Sequence, residues 1–283
     1  MRSHTITEYD NALKLYQSGL NVASISKRID IPETTVSYWL KKRYMPREKI
    51  RQVKKLTLKK DELFHYIMGV MKGDGSIKVG RKVGGYVSLT CIDKDFTQYF
   101  QRTLEQWCGL KVPIYTYEKN QKPLYMACLS SVFTAEFLKT EMQNNLEINI
   151  DFLKGFFDSE GCVHYSKKSK GKGYNRYVSV SNYNLDLIEK IKHFLDLNEV
   201  KSNIRVTTKK GAIHRMNNKT FVTRADCYTL FIQNNRGIKW FAENVGCRIM
   251  RKQEKLVQSV RTMLKFKTPA MLSHSCVNFL ASG

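Results

Sequence analysis

Two stretches of this chain each deliver one carboxylate at the end of an apolar run: YIMGVMKGDGSI from Tyr66 to Ile77, and its imperfect copy FLKGFFDSEGCV from Phe152 to Val163. Each run has helical length and ends in a small residue, an acid and a glycine: Gly73-Asp74-Gly75 and Ser159-Glu160-Gly161. A glycine inside each run, Gly69 or Gly155, stands five residues before its acid, where a missing side chain lets another helix backbone come close. Two helices packed through those glycines would set both carboxylates side by side. A helix C-terminus is already partially negative and the acids repel one another, so the position calls for a cation. Hard divalent ions with oxygen ligands meet that need, and phosphodiester hydrolysis commonly uses them.

These residues resemble the motifs of the LAGLIDADG homing endonuclease family. The nine-letter motif reads onto Ile67 to Gly75 and Leu153 to Gly161, and the resemblance runs from about Leu58 to Val245. It implies that Asp74 and Glu160 are catalytic acids that bind Mg2+ or Mn2+, aided by the carbonyls of Gly73 and Ser159, with Ca2+ binding without supporting cleavage. It also implies a double-stranded DNA partner, a monomer with a long asymmetric target, and intron mobility. Active family members carry a lysine near the end of the second strand in each half. Lys94 is the candidate in the first half, although strand register puts Ile92 there; the second half offers Tyr183 or a loop lysine. The alternative is a DNA-binding regulator or RNA maturase that has lost catalysis. An intein is disfavoured, since no Cys or Ser follows the start and no His-Asn closes the chain.

The elements that must position these acids can be read along the chain. From Glu8 to about Ser18 and again from Asn21, apolar residues keep helical spacing, and Pro32 opens a third segment, ETTVSYWLKKR. The whole looks like a helix-turn-helix with Asp30 in the turn. Val36, Trp39 and Leu40 face its core, while Thr34, Thr35, Ser37 and Tyr38 face DNA and Lys41, Lys42 and Arg43 follow on the backbone. Residues 46–60 form a basic linker.

Beyond it, the order helix, two strands, helix, two strands, helix occurs twice, over 61–148 and 149–267, followed by a tail from 268. The expected class is therefore α+β: two pseudo-symmetric αββαββα repeats with antiparallel saddle sheets, preceded by an all-α helix-turn-helix domain over 1–45. Cationic side chains expected on DNA are Lys78, Arg81 and Lys82 in the first repeat, and Lys167, Lys168, Lys170, Arg176, Arg205, Lys209, Lys210, Arg215 and Arg224 in the second. The second hairpin of the second repeat is read as one unit from Ile204 to Gln233. Asp158 is read as a polar contact at the helix end, pointing away from the acids.

Composition agrees with a polyanionic partner: 48 Lys and Arg stand against 25 Asp and Glu in 283 residues, a formal charge of +23. A hydrophobic fraction of 42% suits a globular chain with a proper core. Seven scattered cysteines without a C-x-x-C pair read as reduced thiols rather than zinc ligands. No stretch reads as a signal peptide or a membrane span, so an intracellular setting, in cytoplasm, nucleoid or organelle, is expected.

Overall fold

A computed structural model describes residues 4–41, 58–80, 84–119, 121–144, 146–169, 173–216 and 219–264. Lys42, Arg43, Arg81, Lys82 and Lys170 lie outside the described residues, as do most of the expected linker and the tail. The chain divides into two compact units, Met1–Thr57 and Leu58–Gly283.

The first unit holds three helices: α1 (Ile6–Gln17), α2 (Val22–Ile29) and α3 (Glu33–Leu40). Thr5 and Glu8 form a reciprocal capping box on α1, and the Asn21 side chain accepts from the Ser24 N–H on α2, so each helix start is fixed by its own sequence. Asp30 closes α2 in the left-handed region (φ 53°, ψ 48°), the conformation that lets the chain reverse into Pro32 and α3. Tyr9, Ala12, Ile25, Ile31, Val36 and Trp39 are buried together. Thr34, Tyr38 and Lys41 are exposed, and Thr35 and Ser37 half-buried.

In the second unit the first repeat runs α4 (Glu62–Lys72), β1 (Gly75–Gly80), β2 (Gly84–Cys91), α5 (Lys94–Cys108), β3 (Ile114–Lys119), β4 (Lys122–Ser130) and α6 (Val132–Gln143). The second runs α7 (Ile150–Glu160), β5 (Gly161–Lys167), β6 (Tyr174–Asn182), α8 (Leu185–Leu197), β7 (Asn203–Thr208), β8 (Ile213–Met216), β9 (Lys219–Val222), β10 (Cys227–Ile232) and α9 (Asn235–Asn244). A closing helix, α10 (Met250–Leu264), follows. The repeats build equivalent antiparallel four-stranded sheets, β1-β2-β4-β3 and β5-β6-β10-β7. Alternation decides their faces: Val87, Leu89, Val178 and Val180 enter the core, while Lys78, Tyr86 and Thr90 stay outside.

The hairpin read as one unit from Ile204 to Gln233 is in fact two. A bulge at Cys227/Tyr228 breaks the β7–β10 ladder, and β8 and β9 form a separate two-stranded sheet. Two local features divert the chain. Gly211 turns at φ +85°, and the Lys210 N–H donates to the Asp226 carboxylate at 2.7 Å instead of continuing the ladder.

Between the sheets lie α4 and α7, the two apolar runs. Asp61 and Asn149 cap them through the N–H groups of Phe64 and Phe152. Ile67, Met68, Val70, Leu153 and Phe156 are wholly buried. A Cβ added at Gly69 would stand 2.2 Å from the Phe152 carbonyl oxygen, and one at Gly155 2.1 Å from that of Tyr66. The helices therefore cross backbone to backbone at these two residues.

Candidate active site: two acids at a helix crossing

Because α4 and α7 cross at their glycines, their C-terminal ends meet. The place of a Gly73 Cβ lies 2.4 Å from Ser159 Cβ and 3.0 Å from Glu160 Cγ. Asp74 and Glu160 are thereby brought to one spot, each immediately before the first strand of its sheet. Asp74 is exposed, yet the protein behind it raises its pKa by desolvation; Lys252 opposes that rise and Asp93 adds to it. Glu160 is half-buried, and its pKa is raised first by burial and then by the charge of Asp74, against the pull of Lys252. Each acid is thus costly to ionise where it stands, which is the electrostatic condition that favours a bound cation.

The donor set fits a hard divalent ion. It offers two carboxylates, the helix-end carbonyls, and the Ser159 hydroxyl, which is buried without a hydrogen-bond partner among the described residues. No cluster of three or more His, Cys, Asp or Glu side chains suited to a metal occurs among the described residues, so other oxygens would have to complete a shell.

Sequence reasoning missed the cation of this site. Lys252, in the first turn of α10, is only 6% exposed. Its ammonium donates to the carbonyls of Asp158 at 2.7 Å, Phe157 at 3.2 Å and Ser159 at 3.4 Å. Cations suit the negative end of a helix, and here the end is that of α7. Burial lowers the pKa of Lys252, and neighbouring Cys247 and Asp158 pull it back up. Nothing in a run of Arg, Lys and Gln after Met250 signals this role, since only the tertiary fold carries α10 to α7. Lys94 is exposed, with Nζ 6.0 Å from the centre of the Tyr125 ring, and Ile92 and Tyr183 at the strand ends are exposed too.

Asp158 does point away from the acids, but into the interior. It is fully buried and accepts from the Tyr66 hydroxyl at 3.1 Å and the Arg248 N–H at 2.8 Å. Burial pushes its pKa up to about 6, against those two bonds and the charges of Arg248 and Lys252. A raised carboxyl pKa contributes stability that is present below the unfolded value, near pH 4, and is lost as pH rises through about 6. Asp158→Asn keeps an acceptor for Arg248 and removes the titration. Urea unfolding at pH 7.5 and 4.5 should show the wild type gaining about 2 kcal/mol on the variant as pH falls.

Of the cations expected on DNA, Arg205 lies on the open face of the second sheet, 5.6 Å from the Phe231 ring centre, beside Tyr177, which stacks on His164. Lys78, opposite Tyr86, is exposed on the first sheet with Tyr115 and Tyr117. Lys167 and Lys168 are exposed at the β5 end, and Lys209, Lys210, Arg215 and Arg224 on and around the β8–β9 hairpin. Arg176 is a correction. It shares the parity of Val178 and Val180, so it turns to the helix side and donates to Ser259 O at 3.3 Å and Thr262 Oγ1 at 3.1 Å on α10.

The family model described as a LAGLIDADG-like domain matches residues 61–141 and again 147–246, one match to each repeat. The chain belongs to the LAGLIDADG family. Its relatives include the uncharacterized protein MJ0398 of Methanocaldococcus jannaschii, 29% identical over 278 residues that cover 94% of this chain and 97% of that one. A second, the uncharacterized protein MJ0314 of the same organism, is 34% identical over 157 residues, 52% of this chain and 58% of that protein. Solved LAGLIDADG structures similar to this chain include the homing endonuclease I-DmoI in complex with DNA and Ca, at 19% identity and TM-score 0.48, covering 70% of this chain and 97% of that one. Another is the homing endonuclease I-WcaI bound to its DNA recognition sequence, at 17% identity and TM-score 0.47, covering 73% and 91%. Among the described residues of this LAGLIDADG protein, no helix is long and apolar enough to cross a membrane.

Proposed function

We propose that this protein is a site-specific DNA endonuclease that hydrolyses one phosphodiester bond in each strand of a long, asymmetric duplex target, with Mg2+ or Mn2+ held between Asp74, Glu160 and the helix-end carbonyls of Gly73 and Ser159. The observation that carries this reading is the meeting of the two acids at the α4–α7 crossing, at the head of both sheets. A bound divalent ion supplies an activated water and stabilisation of the departing oxygen.

The chain's own residues prepare the rest. Asp74 and Glu160 each serve one strand and stay close enough to share the region between two scissile phosphates. The protein behind them makes each carboxylate costly to ionise without a cation. The open faces of the two sheets present Lys78, Arg205, Tyr86, Tyr115 and Tyr117 to the duplex, a cationic and aromatic surface suited to phosphates and base edges. The three-helix unit, through Thr34, Thr35, Ser37, Tyr38 and Lys41, extends the contacted sequence. The β8–β9 hairpin and its flanks carry Lys209, Lys210, Arg215 and Arg224, and lengthen the contact on the side of the second repeat.

A second reading, a DNA-binding regulator without cleavage, is favoured by one observation: the strand ends carry Ile92 and Tyr183 rather than lysine. One screen separates the two. The purified protein is incubated with a randomised duplex library and with genomic DNA of its source, in Mg2+ and in EDTA. Cut ends at a single sequence in Mg2+ alone establish the endonuclease; tight binding in both conditions with no cut ends establishes the regulator.

A further inference from the structure

The cation that acts on both acids, Lys252, comes from outside the two repeats, in company with two arginines. Arg248, Arg251 and Lys252 lie in the turn before α10 and its first turn. By local rules this is a poor composition, because positive charge opposes the positive N-terminal end of a helix, and no acid stands in that turn. The deficit is made good by carboxylates of the repeats. Asp95 accepts from the Met250 N–H at 2.7 Å, Asp158 accepts from the Arg248 N–H, and Asp93 holds the Arg251 guanidinium through two bonds of 2.8 Å. A helix start that breaks its own local preference and is held by three outside carboxylates has its place fixed by the tertiary structure. What that placement achieves is to bury one ammonium under the acid pair, where Asp74, Asp93, Asp158 and Glu160 all feel it.

We propose that Lys252 is the resident counter-charge of the Asp74–Glu160 pair: a positioning residue that clamps the end of α7 and supplies, from beneath, the cation that the second strand end lacks. It is buried beneath the acids, and its ammonium donates to backbone carbonyls. Its three carbonyl acceptors tie the last turn of α7, and with it Glu160, to α10. Its charge offsets the repulsion between Asp74 and Glu160, whose Cγ lies 3.0 Å from the place of a Cβ on Gly73, the residue beside Asp74. The proposal deepens the endonuclease reading, but its test does not depend on cutting.

Thermal unfolding is followed in EDTA for the wild type, Lys252→Met, Glu160→Gln and the double variant. Lys252→Met should lower the midpoint by about 5 °C or more alone, and by less than half as much when Glu160 is already neutral. Added Ca2+ should restore most of the loss in Lys252→Met and little in the double variant. An equal drop in both backgrounds, or no recovery with Ca2+, makes Lys252 a packing residue and overturns the proposal, as does the absence of any drop. Lys252→Gln, which keeps a donor for the carbonyls and loses the charge, replaces Lys252→Met in the same comparison if the latter does not fold. A protein that never cuts DNA leaves this test intact; cutting by Lys252→Met with wild-type unfolding overturns Lys252 alone and leaves the endonuclease reading standing.

Discussion

Glu160→Gln and Asp74→Asn are each expected to reduce double-strand cleavage in Mg2+ by about 10³-fold or more, the scale on which loss of a charge-stabilising group at a reacting centre is felt. Both variants keep the shape and a neutral acceptor, so duplex binding in EDTA should stay within a few-fold of the wild type. The two losses need not look alike. The acids occupy equivalent places at the ends of α4 and α7, yet Glu160 carries the added burden of Asp74's charge and Asp74 that of Asp93. With each acid serving one strand, the single variants should accumulate nicked duplex, in opposite strands, visible on a denaturing gel with one end labelled. Full cleavage by either variant would remove that acid from the mechanism; undiminished cleavage by the double variant would remove the crossing itself.

The second large effect belongs to the crossing. A methyl group at Gly155 would stand 2.1 Å from the Tyr66 carbonyl oxygen and 2.9 Å from the Val70 nitrogen, and its contacts are backbone that cannot step aside. Gly155→Ala should therefore force α4 and α7 apart, at about 3 kcal/mol or more. For a unit of this size that corresponds to a fall in melting temperature of about 6–12 °C, measured by calorimetry. Separation of the helices also moves Glu160 relative to Gly73, so cleavage should fall further than the loss of folded protein accounts for. Gly69→Ala, facing the Phe152 carbonyl at 2.2 Å, should behave the same way from the other side. A wild-type melting temperature in either variant would show that the two backbones are not in contact there.

Much of this could be read before any coordinates, because the relevant signals are local. The glycine five places before each acid, the caps Asp61 and Asn149, the alternation in β1 and β2 and the helical spacing of α4 and α7 all act within a few residues of themselves. Asp30, in the place where a glycine is usual, takes the left-handed conformation that the turn requires. Where reading failed, long-range placement was in control. Arg176 looks like one more loop cation until strand parity sends it to Ser259 and Thr262, some eighty residues on. Asp158 is the polar end contact that its position suggests, but its partners Tyr66 and Arg248 and its complete burial come from tertiary placement. Lys252 carries no pattern at all: its partners lie over ninety residues away, and its own helix advertises only a basic surface. The β8–β9 insertion escaped because a bulge and an acid bound to a backbone N–H leave no periodic trace.

The reliance of both repeats on α10 has a consequence for how the molecule comes into being. Emerging from the ribosome, α4 and α7 are complete long before Met250 is polymerised, so the nascent chain can assemble its central crossing while the charge balance of its reactive tips is still unfinished. The acid pair thus becomes electrically whole only when the final helix described here joins it, and a chain stopping ahead of that helix would lack both Lys252 and the core residues Ile249 and Leu256.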